Sequence, residues 1–183
     1  MNMAYSKNGL SLTKDFEQCR LLPYLDGGGV WTNGWGNTHH VLPGIAITQE
    51  KADADLLANV QDAVDAVNDY VTVPLKQSQF DALVDLTFNI GAGAFKRSTL
   101  LKMLNAGDYE GAHKQFDRWN MDNGKIINGL QRRRDAEQSL WESDSIVSPF
   151  EPVEPIKAPE KVPTPLAAFF ALLLKFFASW RKT

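Results

Sequence analysis

The sequence predicts an α+β fold that is mostly helical, with one small β-hairpin region near its start. Apolar residues recur every three or four positions over much of residues 48–142, which is typical of helices packed on a core. Between residues 24 and 47, strand-favouring residues are interspersed with glycines that supply turns. After residue 147 the composition becomes proline-rich and then hydrophobic. We therefore expect a folded domain over residues 1–147, a linker over 148–165 and a hydrophobic helix over 166–183.

Polar caps and helix breakers place the first elements. Ser11 is a suitable N-cap for a short helix that ends near Cys19, and Pro23 helps to end it. After the hairpin region, Thr48 is expected to cap a long helix. Its buried stripe should be formed by five apolar residues: Ala52, Leu56, Val60, Val64 and Val67.

The later helices are placed in the same way. Pro74 interrupts the chain after the long helix. We expect N-caps at three polar residues: Ser78, Ser98 and Asp108. Gly91 should end the helix that Ser78 begins, and the last domain helix should run from about Leu130 to Glu142.

Two carboxylates and one threonine are the candidate functional residues. Eight residues separate Glu17 from Asp26, and five separate Asp26 from Thr32. A helix end followed by a tight hairpin can hold two carboxylates on opposite walls of a cleft, which is what glycoside hydrolysis needs. Taken alone the spacing is weak evidence, because Glu17 could be a solvated helix acid and Asp26 an ordinary turn former. Thr32 could simply favour a strand.

The spacing does not stand alone. The ordered set of motifs over residues 8–143 resembles the phage lysozymes of glycoside hydrolase family 24. That family carries Glu, eight residues, Asp, five residues and Thr, as do Glu17, Asp26 and Thr32 here. The further motifs lie, in the expected order, at residues 79–84, 88–91, 93–95, 98–101, 104–109, 116–119 and 129–137. The resemblance implies a lysozyme-like two-lobed fold, with a small β-hairpin lobe, a helical lobe and a long helix joining them.

The resemblance also implies a function. Members of this family are muramidases that cleave the β-1,4 bond between N-acetylmuramic acid and N-acetylglucosamine in peptidoglycan, with inversion at the anomeric carbon. It implies that Glu17 is the general acid, protonated near neutral pH within a desolvating pocket. Asp26 would activate the attacking water or stabilise the transition state, and Thr32 would hold that water. One of three adjacent arginines is expected to pair with Glu17 or to bind substrate: Arg132, Arg133 and Arg134.

Composition and charge exclude other classes. The formal charge is −3; residues 148–183 hold five basic and three acidic residues, which leaves about −5 on residues 1–147. This negative charge does not favour binding to nucleic acid, which needs a basic surface to neutralise the phosphates. The single Cys19 rules out an intramolecular disulfide and fits a reducing cytoplasm. The three histidines lack partners at metal-ligand spacing, so we expect no metal and no cofactor. Residues 1–10 do not form a secretory signal.

The C-terminal segment supports a separate prediction. Six prolines in residues 148–165 indicate an extended tether. Residues 166–180 contain eight Leu and Phe but also Lys175, and as a helix they would cover about 22 Å, short of a roughly 30 Å hydrocarbon core. We favour a helix lying at, or obliquely inserted into, an anionic bacterial membrane. A short thinned span and a helix docked on the domain are the alternatives.

We therefore expect a monomeric phage endolysin that is made in the host cytoplasm and acts on peptidoglycan, with its tail on the membrane. Two rival classes stay open at this stage. One is a peptidoglycan-binding module in which catalysis is secondary. The other is a membrane-active protein whose tail does the work and whose domain is a carrier.

Overall fold

The computed structural model describes residues 2–122 and 124–143, and the predicted linker and hydrophobic helix lie outside the described residues. The elements in chain order are α1 (Lys7–Phe16), β1 (Arg20–Leu25), β2 (Trp31–Gly34), α2 (Gln49–Tyr70), α3 (Gln77–Ile90), α4 (Ala92–Arg97), α5 (Thr99–Asn105), α6 (Tyr109–Lys114), a 3₁₀ helix (Phe116–Trp119), β3 (Met121–Asp122), β4 (Lys125–Ile126) and α7 (Asn128–Glu142). The mostly helical α+β prediction is confirmed. No helix within this part of the chain has the length and apolar character needed to cross a membrane.

The hairpin of β1 and β2 forms the small β lobe. The two strands are antiparallel, with Tyr24 opposite Thr32 and Leu25 opposite Trp31. Gly34 ends β2 with a φ of +55°, and a Cβ there would lie 3.1 Å from the Cβ of Ala52 on α2. Glycine therefore allows both the left-handed turn and the close approach of the hairpin to the long helix.

Helices α2 and α3 supply most of the hydrophobic core. The five residues of the predicted α2 stripe are all buried. On α3, Phe80, Leu83 and Val84 are buried as well, and side chains from α4 to α7 pack on the same cluster. Since burying one such side chain stabilises the fold by about 1.5–3 kcal/mol, this cluster holds α3 firmly against α2 and the later helices.

Local capping chemistry predicted the starts of three helices: α2, α5 and α6. Thr48 accepts a hydrogen bond from the amide of Lys51 at 3.2 Å. Ser98 does the same for Leu101, and Asp108 for Gly111. These three predictions are confirmed, because each cap depends only on groups three residues away.

Two predicted caps are wrong. Helix α1 begins after Ser6, not Ser11, because Ser6 accepts from the amides of Asn8 and Gly9 while its hydroxyl donates to Asp81 on α3. Helix α3 begins after Lys76, and Ser78 lies inside its first turn. The buried Ser78 hydroxyl is 3.5 Å from the backbone carbonyl of Trp141 on α7. At α1 a contact across the fold, from Ser6 to Asp81, adds to the local cap. At α3 the start is set locally, because the amide of Lys76 donates to the side chain of Gln79 at 2.9 Å.

Tyr5 and Gly9 fit closely at the start of α1. The Tyr5 hydroxyl donates to the carbonyl of Gly9 at 2.7 Å, and its ring covers the glycine. A Cβ at Gly9 would lie 2.3 Å from Cε2 of Tyr5, so any other residue there would have to displace the Tyr5 ring. The same hydroxyl is 2.7 Å from Oγ1 of Thr13, one turn closer to the end of the helix.

Candidate active site

Glu17 is the first residue after α1. Its amide still donates to the carbonyl of Thr13 at 3.1 Å, while its own backbone is extended and leads the chain toward β1. One carboxylate oxygen, Oε1, accepts from Nη1 of Arg133 at 2.9 Å, and 28% of the side chain is exposed. The desolvating pocket expected around Glu17 is therefore, in this structure, a half-open site with an arginine on one side.

The Arg133 guanidinium is held in place by Asp85. Its Nε and Nη2 atoms donate to the two carboxylate oxygens of Asp85, at 2.9 and 3.1 Å, with both side chains buried. This two-point contact fixes the plane of the guanidinium, so that Nη1 points at Glu17. Burial opposes the charge, but Asp85 and Glu17 together raise the pKa of Arg133 above its ordinary value.

Asp85 also connects to α1. The hydroxyl of Thr13 donates to its Oδ1 at 2.7 Å, and Thr13 is in turn in contact with the Tyr5 hydroxyl. A continuous chain of polar contacts therefore runs from Tyr5 through Thr13, Asp85 and Arg133 to Glu17. It joins α1, α3 and α7 at the point where the candidate acid leaves its helix.

The neighbouring arginine makes a second buried pair. Arg134 donates to Glu137 at 2.5 Å, and it also reaches Asn89 at 3.1 Å and the carbonyl of Trp119 at 3.3 Å. Burial raises the pKa of Glu137 well above its usual range, against the opposing effect of Arg134. Arg132 is exposed. Of the three candidate arginines, Arg133 is the one that pairs with Glu17.

Asp26 occupies the turn between β1 and β2. Its Oδ1 accepts two amide hydrogen bonds, from Gly28 at 2.9 Å and from Val30 at 2.8 Å. These contacts fix the side chain through one oxygen. The other oxygen, Oδ2, accepts no hydrogen bond from the described residues. Asp26 is thus both the turn former and a carboxylate with one unoccupied oxygen.

Thr32 lies on β2 and is 4% exposed. Its hydroxyl donates to the carbonyl of Val30 at 3.1 Å, so its oxygen lone pairs stay available as acceptors. Val30 is therefore a shared partner, since its amide binds Asp26 and its carbonyl binds Thr32. The structure joins these two candidates through the hairpin backbone and joins Glu17 to Arg133. It shows no direct hydrogen bond among the three within residues 2–122.

A separate polar cluster fixes the hairpin lobe. Asp53 on α2 pairs with Lys14 of α1 at 2.9 Å and accepts from the indole of Trp35 at 2.7 Å and from Gln49 at 2.9 Å. Burial alone would raise the pKa of Asp53, but the hydrogen bonds from Lys14, Trp35 and Gln49 hold it below its usual value. The loop after β2, α1 and α2 therefore meet at one carboxylate.

Cys19 has no part in this geometry. It is a half-buried free thiol whose sulfur is 3.7 Å from Oε1 of Gln49. Over the described ranges, no group of three or more His, Cys, Asp or Glu side chains is arranged to hold a metal ion.

The sequence predictions missed Asp85 and Thr13. One signal was available: Asp81 and Asp85 are four residues apart in a helix that is otherwise strongly apolar, and both are buried. Acidic residues are almost never fully buried unless they are paired, so an acid in such a helix predicts a buried partner. The partner itself, 48 residues away at position 133, carries no local signal.

A small hairpin lobe set on a helical core, with an acid at the end of the first helix, defines the class of lysozyme-type hydrolases. The family model for phage lysozyme matches residues 14–137. The chain is 46% identical over 145 residues to the endolysin of Acyrthosiphon pisum secondary endosymbiont phage 1, an alignment that covers 77% of this chain and 99% of that protein. The chain therefore belongs to the phage lysozyme family.

Solved structures agree with this assignment. The muramidase domain of SpmX from Asticaccaulis excentricus superimposes with a TM-score of 0.72 at 38% identity, over 76% of this chain and 98% of that domain. The endolysin from Escherichia coli O157:H7 phage FAHEc1 gives a TM-score of 0.72 at 38% identity, over 78% and 96% of the two chains. The lysozyme-like fold expected from the sequence is confirmed.

Replacing Arg133 by Met should destabilise the domain by about 3–5 kcal/mol, because the Asp85 carboxylate would stay buried without its cation. Activity on cell walls should fall as well, since Glu17 loses the group that orients it. Arg132→Met is the matched control, one residue away but exposed, and should change stability by no more than about 0.5 kcal/mol. Urea unfolding of both variants measures the difference. Equal stabilities would mean that the buried pair contributes little.

Proposed function

We propose that this protein cleaves the β-1,4 bond between N-acetylmuramic acid and N-acetylglucosamine in peptidoglycan, and so lyses a bacterial host as a phage endolysin. The proposal is carried by the placement of Glu17 on Arg133 at the end of α1, in a chain of this family. Asp26 and Thr32 on the hairpin supply the second half of the site. The enzyme would be made in the host cytoplasm and would act on the wall in the periplasm, as a monomer without metal or cofactor.

Glu17 is assigned as the general acid. Arg133 occupies its Oε1, so Oε2 is the oxygen that can carry a proton to the leaving glycosidic oxygen. General-acid catalysis requires that this proton lie within hydrogen-bonding distance of the oxygen that receives it. A bound sugar would cover the exposed part of the Glu17 side chain and remove water from the same space.

Asp26 is assigned as the carboxylate on the other side of the bond. Two amides hold its Oδ1, which leaves Oδ2 directed by a rigid turn. This oxygen can take a proton from the attacking water, or its charge can stabilise the oxocarbenium-like transition state. Neither role forms a bond between Asp26 and the sugar, so both leave space for a water between Asp26 and the anomeric carbon.

Thr32 is assigned the role of holding the attacking water. Because its hydroxyl hydrogen is directed to the Val30 carbonyl, its oxygen can accept a hydrogen bond from a water near Asp26. A water that donates to both Thr32 and Asp26 would present a lone pair to the anomeric carbon. The family's inverting stereochemistry is part of this proposal.

The C-terminal segment extends the proposal to a membrane. We assign residues 1–147 to the hydrolase domain, 148–165 to a linker and 166–183 to a helix that binds anionic bacterial membranes. The support is the sequence: eight Leu and Phe within residues 166–180 favour the bilayer, Lys175 opposes burial at its centre, and Trp180, Arg181 and Lys182 suit the interface. Such binding would hold the enzyme close to the wall.

Replacing Glu17 by Gln should reduce hydrolysis of purified peptidoglycan by at least about 10²–10⁴-fold, because an amide cannot donate the proton. Melting temperature and binding to insoluble peptidoglycan should be retained. Glu142→Gln, an exposed change on α7, serves as the control and should stay active. A folded Glu17→Gln protein with full turnover would rule out the assignment. Loss of binding with unchanged turnover per bound enzyme would make Glu17 a binding residue rather than the acid. A wild-type protein that binds peptidoglycan without cleaving it would favour a binding module.

If the enzyme inverts, proton NMR of the freshly released product should show the α-anomer first, before mutarotation. Asp26 then acts through a water, and the two carboxyl groups should lie about 6.5–9.5 Å apart in a substrate complex. Initial release of the β-anomer would instead indicate a covalent intermediate on Asp26.

Full-length protein should float with anionic liposomes at low salt, while a chain truncated after residue 144 should stay in the soluble fraction. A second truncation after residue 165 keeps the linker and separates its contribution from that of the hydrophobic segment. Binding should weaken as salt rises, since cationic residues at the tail contribute. Equal recovery of all three proteins in the soluble fraction would exclude a membrane role for residues 166–183.

A further inference from the structure

Glu137 is a buried acid that the mechanism above does not use. Its side chain is fully buried on α7, with Oε1 at 2.5 Å from Nη2 of Arg134 and at 3.7 Å from Nε of Arg133. Its other oxygen, Oε2, has no donor among the described residues. A buried carboxylate that is half unsatisfied is costly, so the site must either bring in a donor or neutralise the charge.

The remaining neighbour of Glu137 is another acid. Burial, together with the negative charge of Asp85 on α3, disfavours the charged form of Glu137 and raises its pKa. Both oxygens of Asp85 already accept hydrogen bonds, from Arg133 and from Thr13. Glu137, whose Oε2 has no donor among the described residues, is therefore the acid to which we assign the proton.

The net charge of the cluster links the protonation state of Glu137 to that of Glu17. The groups that face it are Arg133 and Arg134 on its own helix and Asp85 on α3, and Arg133 also contacts Glu17 from α1. Two cations and three acids give a neutral cluster only when one proton is present. That proton is on Glu137 when Glu17 is a carboxylate. When Glu17 carries the proton needed for catalysis, neutrality requires an ionised Glu137.

We propose that Glu137 is a positioning residue for the reaction, and that its ionisation compensates the proton held by Glu17. It acts through Arg133, which touches both acids, and never meets the substrate. This inference rests on the proposed role of Glu17 as general acid. The consequence is that the two acids titrate as a coupled pair, in which a proton on one disfavours a proton on the other.

The pH dependence of peptidoglycan hydrolysis tests the proposal. With Glu137→Gln, the cluster keeps a surplus positive charge that favours the Glu17 carboxylate. The alkaline limb of the kcat/KM profile should then move to lower pH, by about one unit, the usual size of shifts caused by neighbouring charges. Glu142→Gln removes a negative charge from the exposed face of the same helix and should leave the limb in place.

A double variant separates charge from structure. Arg134→Gln combined with Glu137→Gln removes one charge of each sign, so the limb should return toward its wild-type position even if stability falls further. A Glu137→Gln profile that superimposes on wild type in folded protein overturns the proposal. So does a double variant that stays displaced by as much as the single one.

Carbon-13 NMR of labelled glutamate carboxyl groups gives a readout that needs neither activity nor a change at Glu137. In Glu17→Gln, position 17 is permanently uncharged, so Glu137 should ionise at a lower pH than in wild type. The Glu137 signal is assigned by its absence in Glu137→Gln. An unchanged midpoint shows that the acids are uncoupled and overturns the inference. A lowered midpoint beside an active Glu17→Gln enzyme would keep the coupling and reject only the proposed catalytic role.

Discussion

The position of Glu17 depends on a contact that Glu17 does not itself make, the buried pair between Arg133 and Asp85. A free arginine would point its charge to water, but Asp85 holds this guanidinium at two points inside the protein. The third side of the guanidinium then faces the end of α1. Helices α1 and α7, from the two ends of the domain, are fixed relative to each other by one planar group, and this contact orients the Glu17 carboxylate.

A cluster of buried charges stabilises a core no better than apolar side chains of similar shape would. Replacing buried ions by apolar groups of similar shape is often neutral or stabilising, by about 1–4 kcal/mol. The apolar cluster of α2 and α3 shows that this chain can build an ordinary core where no chemistry is needed. Charged groups are concentrated where α1, α3 and α7 meet. At this point the orientation of the Glu17 carboxylate matters more than the stability that an apolar core would add. The Lys14–Asp53 pair repeats the arrangement in a more exposed form at the hairpin.

The sequence predicted features whose interacting residues are close together along the chain better than those whose partners are far apart. The α2 stripe and the caps at Thr48, Ser98 and Asp108 depend on residues within one or two turns, so their periodicity and chemistry were sufficient. The start of α3 was missed although its bond, from the Lys76 amide to the Gln79 side chain, is local. The start of α1 was missed because Ser6 is fixed in part by Asp81, 75 residues along the chain. Asp85 was missed for the same reason. The spacing of Glu17, Asp26 and Thr32 made them candidates, but it carried no information on which arginine contacts Glu17.

Gly9 shows how far this dependence on geometry extends. It carries no functional group and lies two turns from Glu17, yet Tyr5 occupies the space where any side chain would begin. Displacing Tyr5 would release Thr13, which contacts Asp85. Substitutions in this domain should therefore be most harmful at residues that contact the chain of polar side chains from Tyr5 to Glu17, even when those residues lie far from the substrate. Any residue other than glycine at position 9 would have to displace the Tyr5 ring, so packing rather than chemistry should constrain this position.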